Sequence, residues 1–247
     1  MNLAWIPNTL TMGNLVFGFL SIVYASKGQF VLSGFLILFA ALFDGFDGQV
    51  ARFLKVESRI GAELDSLADC ITFGVAPGYL AYSAYFCDMV ITLNYNSIPA
   101  GAFLATLFPV CGAYRLARFN VSHDSKHFCG LPSPIAGIAI ALVPISANAS
   151  VFSDTAICVT DYLYIFVPAF VIIALLMIST MSFSKPQAVL LAKLHGIKLA
   201  VFIVVLASLL FAFRKYMLFI VFSLLFLYVM SALISFVIQI IQDFRLK

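Results

Sequence analysis

Charged residues are scarce in this chain. Asp, Glu, Lys and Arg make up 10% of its 247 residues, hydrophobic residues make up 63%, and the mean hydropathy is +1.08. An average soluble protein has about 25% charged and about 45–50% apolar residues. The composition therefore excludes an ordinary soluble globular protein and predicts a polytopic membrane protein. Because a spanning helix takes about 20 residues, the chain has room for six to eight spans with short loops, which excludes a separate soluble domain.

Paired cysteines are also lacking. The five cysteines are scattered singly, with no CxxC pair and no spacing typical of a zinc site. They are expected to be small apolar packing residues. The sequence contains no repeat, no low-complexity stretch and no long linker, and we expect no nucleic-acid partner.

Eight apolar runs predict the transmembrane helices of an all-α bundle. Judged by length and by scarcity of charge, they lie at roughly 5–26, 30–51, 62–86, 97–118, 131–152, 160–181, 197–213 and 216–242.

The distribution of Lys and Arg predicts the orientation. If the N-terminus is cytoplasmic, eleven of the fourteen basic residues fall near cytoplasmic helix ends: Arg52, Lys55, Arg59, Arg115, Arg118, Lys126, Lys185, Lys193, Lys198, Arg245 and Lys247. The opposite side receives Lys27, Arg214 and Lys215. The positive-inside rule favours this arrangement, which opens the acidic cluster described next towards the cytoplasm.

The few acidic residues are concentrated in one place. Six of the eleven lie within 26 positions, and four of them stand in the pattern Asp44-x2-Asp47-Gly48-x2-Ala51-Arg52-x8-Gly61-x3-Asp65-x3-Asp69. A carboxylate in a membrane helix costs at least ~2.5 kcal/mol on insertion scales. Four held close together therefore imply a cation that neutralises them or a water-filled cavity that solvates them.

Helical spacing brings these carboxylates together. Asp44 and Asp47 form an i,i+3 pair and Asp65 and Asp69 an i,i+4 pair, so each pair projects from one face of its helix. A short reversal after Arg52 sets the two helices antiparallel. Small residues on both helices are expected to let the backbones approach closely: Gly45, Gly48, Ala51, Gly61, Ala62 and Ser66.

A cluster that offers only carboxylate ligands, with no His or Cys, selects hard cations, Mg²⁺ or Mn²⁺ before Zn²⁺ or iron. Two such ions about 3.5–4 Å apart can clamp the attacking and leaving oxygens of a phosphoryl displacement. Arg52 lies about 12 Å along the helix from Asp44, at the cytoplasmic mouth, where a guanidinium suits a diphosphate. A cation transporter could also use intramembrane carboxylates, but it would have no need for Arg52.

The complete pattern resembles the signature of the CDP-alcohol phosphotransferases, integral membrane enzymes that transfer a phosphatidyl or related group from a CDP-linked donor to an alcohol. The resemblance implies two divalent cations, Mg²⁺ or Mn²⁺, held by Asp44, Asp47 and Asp65, with Asp69 on the second metal and acting as general base. It further implies that the CDP moiety contacts Gly48, Arg52 and Ser58.

Other segments resemble the phosphatidylserine synthase branch of that family. They include Ile6 to Asn14, Leu64 to Asp69 running into Phe73 to Pro77, Arg115 to Asn120, Phe128 to Pro134, and Met177 to Thr180 before Phe183 to Lys185. This resemblance implies phosphatidyl transfer from CDP-diacylglycerol to L-serine, with CMP as the second product. It also implies a six-helix core at 1–190, two further helices at 191–247, a homodimer, and a bacterial inner membrane with the active site facing the cytoplasm.

The acceptor's own charges suggest further residues. Serine carries a carboxylate, so its pocket should contain a cation, and the candidates are Arg118, Arg115 and Lys185; the alternative is that they only follow the positive-inside rule. Asn8 and Thr11 either line the nucleotide entrance or cap a helix at the interface.

The acceptor itself rests on the branch resemblance. From the residues alone, glycerol 3-phosphate, inositol phosphate and choline remain alternative acceptors. A phosphorylated acceptor would want two or three converging cations, and choline an aromatic cage. The sequence contains no H-x-K-x4-D element, so a covalent phosphohistidine route has no support.

Overall fold

The structure is a computed structural model, and it describes residues 5–56, 58–93, 96–121, 130–147 and 163–181, with isolated residues at 3, 223 and 230. The helices are α1 (Trp5–Ser26), α2 (Phe30–Leu54), α3 (Arg59–Asp69), α4 (Ala76–Ala81), α5 (Ala100–Val121), α6 (Ser133–Ala147) and α7 (Leu163–Ile178). The strands are β1 (Ile91–Leu93) and β2 (Asn96–Ile98). This part of the chain is an all-α bundle with one short hairpin.

Helices α3 and α4 belong to one helical run from Arg59 to Phe86. Wider π-helical turns at Cys70–Val75 and Tyr82–Phe86 interrupt its α-helical hydrogen bonding, while the residues at the junctions keep right-handed helical angles. The first π-helical turn begins directly after Asp69. Such turns occur frequently at functional sites.

Six of the eight predicted helical runs lie wholly or largely within the described residues, and the described part of each contains a helix. The first run matches α1 in both bounds, and the run at 30–51 continues for three more residues to Leu54. The third begins at Arg59 instead of position 62, because Ser58 caps it: its hydroxyl accepts a 3.0 Å hydrogen bond from the backbone N–H of Gly61. The runs predicted at 197–213 and 216–242 lie outside the described residues.

Within the part of the chain that the structure describes, three helices are long and apolar enough to cross a membrane: α1, α2 and α5. Large apolar side chains project from each of them into the surroundings, for example Phe19, Phe39 and Phe103, which are 60%, 52% and 67% exposed. A soluble protein would bury such side chains, whereas lipid solvates them. The protein is therefore an all-α membrane bundle.

The hairpin was not predicted. Antiparallel pairing joins Ile91 to Ile98 and Thr92 to Ser97, in a stretch that the sequence indicated as a loop running into the helix at 97. The pairing delays the start of α5 to Ala100. The residues from Ile91 to Asn96 alternate between apolar and polar, which is a strand pattern that the sequence reasoning did not use.

Packing places α1 at the centre of the acidic half of the bundle. It contacts α2 along much of its length and also packs against α3, the π-helical turn at Cys70–Val75 and α4. A separate aromatic core joins the end of the long helical run to α5 and α7, where the rings of Phe86 and Phe108 each lie 5.2 Å from the ring of Phe170. These contacts fix the helices that carry the acidic residues.

Candidate functional site

Three of the four motif carboxylates meet at one point. Asp44 and Asp47 on α2 and Asp65 on α3 each offer an oxygen, and these oxygens lie within 4.8 Å of one another. Asp47 is buried and the other two are half-buried. At that separation two carboxylates repel each other by about 3.5 kcal/mol at an effective dielectric constant of 20. The cluster therefore needs a compensating positive charge.

An unsatisfied oxygen in the cluster indicates what that charge is. Oδ1 of Asp65 is buried and has no hydrogen-bond partner among the residues that the structure describes. A buried carboxylate oxygen left this way is costly, and a coordinated cation would satisfy it. The donors are all carboxylate oxygens, which suit Mg²⁺ and Mn²⁺. The residues present thus fit a divalent metal ion.

Asp69 adjoins this cluster through Asp44. The side chains of Asp44 and Asp69 are close enough to interact directly. Asp69 is buried, and the side-chain N–H of Asn14 donates to its Oδ1 over 3.3 Å. The structure therefore brings all four motif carboxylates into one region, and both Asp47 and Asp69 are buried there.

Helix α1 supplies polar partners to the carboxylates of both other helices. The hydroxyl of Thr11 lies 2.6 Å from Oδ2 of Asp47 and 3.1 Å from the backbone carbonyl of Pro7. Thr11 and Asn14 are three residues apart, so they share one face of α1. Thr11, expected either at the nucleotide entrance or as a cap, thus lies against a metal-ligating candidate. Asn14 received no role from the sequence, although its spacing from Thr11 was a signal that could have found it.

The prediction that small residues bring α2 and α3 into close contact is wrong. The two helices have few direct contacts, because α1 packs against both of them. A Cβ atom added to Gly45 would meet nothing within 4 Å in the described part of the chain, and one added to Gly48 would meet only Nη2 of Arg52, at 4.0 Å. These glycines therefore border open space beside the carboxylates.

The proposed CDP contacts lie at the same end of the bundle as this space. The guanidinium of Arg52, in the last turn of α2, folds back towards Gly48, as the 4.0 Å distance shows. Ser58 caps α3, and a Cβ atom added to Gly61 would lie 3.0 Å from both the Ser58 hydroxyl and Oδ1 of Asn8. The structure thus brings Asn8 and Ser58 together at the start of α3.

The cations suggested for serine binding have structural partners. Nη1 of Arg115, a buried residue, donates to the hydroxyl of Ser133 over 2.7 Å. Arg118 donates to the carbonyls of Ile178 and Ser179 over 2.9 and 3.0 Å, which ties α5 to the end of α7. Lys185 lies outside the described residues.

One polar link near these cations was missed by the sequence reasoning. The side-chain amide of Asn120 donates to the Ser66 hydroxyl over 3.1 Å and to Oε2 of Glu63 over 3.4 Å. Glu63 thus points to Asn120 at the surface of α3 and away from the acidic cluster. The end of α5 is thereby fixed to the helix that carries Asp65 and Asp69.

Comparison with protein families accounts for this arrangement of residues. The model of the CDP-alcohol phosphatidyltransferase family matches residues 4–164. This region includes the acidic motif and the two arginines suggested for serine binding, Arg115 and Arg118. The chain belongs to the CDP-alcohol phosphatidyltransferase family.

Curated relatives narrow the resemblance within the family. The chain is 40% identical over 145 residues to a CDP-diacylglycerol–serine O-phosphatidyltransferase of Helicobacter pylori, a match that covers 58% of each chain. It is 37% identical over 146 residues to the protein of that name from Bacillus subtilis, covering 58% of this chain and 77% of the relative. It is 40% identical over 139 residues to an archaetidylserine synthase of Methanothermobacter thermautotrophicus, covering 55% and 56%. The match therefore spans little more than half the length of the first and third of these relatives.

Proposed function

We propose that this member of the CDP-alcohol phosphatidyltransferase family transfers the phosphatidyl group of CDP-diacylglycerol to L-serine, giving phosphatidylserine and CMP. The observation that carries the proposal is the meeting of Asp44, Asp47 and Asp65, with Asp69 adjoining. The choice of serine is supported by the relatives, since the names of all three include serine. The family match favours an enzyme over the cation-transporter hypothesis.

Each carboxylate has a proposed part. Asp44, Asp47 and Asp65 would hold divalent metal, with Asp69 as a further ligand; we propose two ions, Mg²⁺ or Mn²⁺. When bound, the ions would neutralise the diphosphate and stabilise charge on the leaving CMP oxygen. Arg52 and Gly48, with Ser58, Asn8 and Thr11 at the same end of the bundle, are the proposed neighbours of the CDP moiety. The space beside Gly45 and Gly48 supports that placement.

The bond changes follow from the reactants. Asp69 would accept the proton of the serine hydroxyl while the hydroxyl oxygen of serine attacks the phosphatidyl phosphorus. A serine oxygen–phosphorus bond forms, the bond from phosphorus to the CMP oxygen breaks, and CMP leaves. A positioned base of this kind typically contributes 10²–10⁴-fold. Arg118, Arg115 and Lys185 remain the proposed cations for the serine carboxylate.

The setting of the reaction is also proposed. The distribution of Lys and Arg favours an active site that faces the cytoplasm, and the family resemblance favours a bacterial inner membrane. A homodimer is proposed from the family resemblance. The proposed division of the chain is a six-helix core at 1–190 followed by two helices at 191–247.

The deciding experiment measures CMP release by purified protein supplied with CDP-diacylglycerol and Mn²⁺ or Mg²⁺. Serine, glycerol 3-phosphate, inositol phosphate and choline are offered separately, and Asp69→Asn is the matched control because it keeps the side chain's shape. We expect release that depends on serine and that the variant loses. Release with another alcohol would keep the family reaction and refute the serine pocket.

A further inference from the structure

Asn14 is a buried polar side chain beside the acidic cluster to which the proposed reaction assigns no role. It is fully buried, and its side-chain N–H donates to Oδ1 of Asp69. Its side-chain oxygen is buried too, and finds no hydrogen-bond partner within the described ranges. The amide N–H group therefore binds Asp69, whereas the amide oxygen binds no group among the described residues.

The backbone holds this amide in place. The hydroxyl of Thr72 donates to the main-chain carbonyl of Asn14 over 3.2 Å. One turn further along α1, Gly18 lies so close to Thr72 that an added Cβ would come within 2.9 Å of the Thr72 Cα atom. Thr72 belongs to the π-helical turn that directly follows Asp69. Asn14 and Asp69 are thus fixed relative to each other by contacts that do not involve the amide oxygen.

An amide oxygen that has no partner among the described residues argues against a role in stability. A buried polar atom without a partner costs free energy that an apolar side chain of similar size would not incur. A leucine would fill the same space without that cost. The amide is therefore explained by what its N–H group does, which is to contact the carboxylate proposed as the general base.

We propose that Asn14 is a positioning residue, which holds Oδ1 of Asp69 and leaves the second carboxylate oxygen directed at the acceptor hydroxyl. This inference rests on the proposed function, since it assigns Asp69 the role of base. It does not depend on which alcohol is the acceptor, because every acceptor would lose its proton to the same oxygen.

The test compares Asn14→Leu and Asn14→Asp with the wild-type protein in the CMP-release assay, alongside thermal unfolding in detergent. Asn14→Leu removes the donor and the unpartnered oxygen together, and Asn14→Asp keeps the shape but replaces the donor with a carboxylate. Loss of an outer partner of a metal site typically costs 10–100-fold in affinity or activity. We expect kcat to fall by about that factor in both variants, with the KM for CDP-diacylglycerol changed less than about twofold, and the Tm of Asn14→Leu no lower than that of a variant that loses one buried hydrogen bond away from the site.

The matched control is Ser21→Ala on the same helix. Ser21 and Ser33 form a fully buried 2.8 Å hydrogen bond between α1 and α2, away from the carboxylates. This variant should lower Tm and leave kcat unchanged. An Asn14→Asp protein with wild-type kcat would overturn the inference, as would an Asn14→Leu protein that keeps its kcat or loses more Tm than Ser21→Ala. A wild-type protein that releases no CMP with any acceptor would refute the proposed function instead.

Discussion

The hydroxyl of Thr11 lies 2.6 Å from Oδ2 of Asp47, and it joins α1 to the helix that carries half of the acidic motif. Both side chains are buried. A hydrogen bond donated to a carboxylate fixes the orientation in which its other oxygen can bind a metal ion. Thr11 would therefore tune the metal site from outside it.

Replacing Thr11 with valine tests this role while keeping the side chain's shape. Without the hydroxyl, Asp47 loses its donor, and we expect the affinity for Mn²⁺ to fall about 10–100-fold. The measurement is CMP release as a function of Mn²⁺ concentration, supported by calorimetric titration. The control is Thr9→Val, since Thr9 is exposed and donates only to the carbonyl of Trp5 within its own helix. Equal metal affinity in the two variants would show that the contact with Asp47 does not matter.

Removal of metal should destabilise the protein as well as inactivate it. A chelator leaves Asp44, Asp47 and Asp65 within 4.8 Å of one another with no compensating cation. A ligand at a hundredfold excess over its Kd contributes about 2.7 kcal/mol, or roughly 5–10 °C at 2–4 °C per kcal/mol. We expect Tm to rise by about that amount when Mg²⁺ or Mn²⁺ is restored, and CMP release to return with it.

Asp65→Asn is the control for that experiment. The substitution removes one charge from the cluster and one metal ligand. In chelator, its Tm should therefore exceed that of the wild-type protein, and added metal should raise it much less. If metal stabilised both proteins equally, the ion would be bound elsewhere.

The sequence predicted the parts of the site that depend on spacing along a helix. Asp44 and Asp47 share a face because three residues separate them, and the same argument applied to Asp65 and Asp69. The six described helical runs were predicted with similar success, because apolar stretches of membrane length are a strong signal.

The sequence could not predict which helix lies between the two acidic ones. Small residues such as Gly45 and Gly48 allow close packing, but equally they leave room for a ligand, and only the tertiary arrangement decides between these outcomes. That arrangement puts α1 against both acidic helices, and so gives Thr11 and Asn14 partners 36 and 55 residues away. Hydrogen bonds over such distances leave no local pattern in the sequence.

Substitutions at two glycines can distinguish close helix packing from space left for a ligand. Gly18→Ala would place a Cβ within 2.9 Å of the Thr72 Cα atom, and because backbone cannot yield cheaply, we expect Tm and activity both to fall. Gly45→Ala would meet open space, and Ala is favoured over Gly in a helix by about 0.8–1.0 kcal/mol. Its Tm should stay equal or rise.

The KM for CDP-diacylglycerol then tests whether the nucleotide occupies the space beside Gly45. If the nucleotide uses it, the KM for CDP-diacylglycerol should rise in Gly45→Ala although the protein is no less stable. An unchanged KM would place the nucleotide elsewhere, and a lower Tm would contradict the open space itself.

The remaining prediction concerns Arg118, whose two bonds to the carbonyls of Ile178 and Ser179 give it a structural role beside the proposed one in serine binding. Carbonyls at a helix end in a membrane need donors, and a lysine cannot reproduce the planar fork of a guanidinium. Arg118→Lys should therefore lower Tm by a few degrees.

If the residue also binds the serine carboxylate, the KM for serine should rise about tenfold, with the KM for CDP-diacylglycerol unchanged. Ser133→Ala removes one hydrogen-bond partner of Arg115 and tests that second candidate cation with the same two measurements. A lower Tm with an unchanged KM for serine would assign Arg118 to the fold and leave the serine carboxylate to another cation.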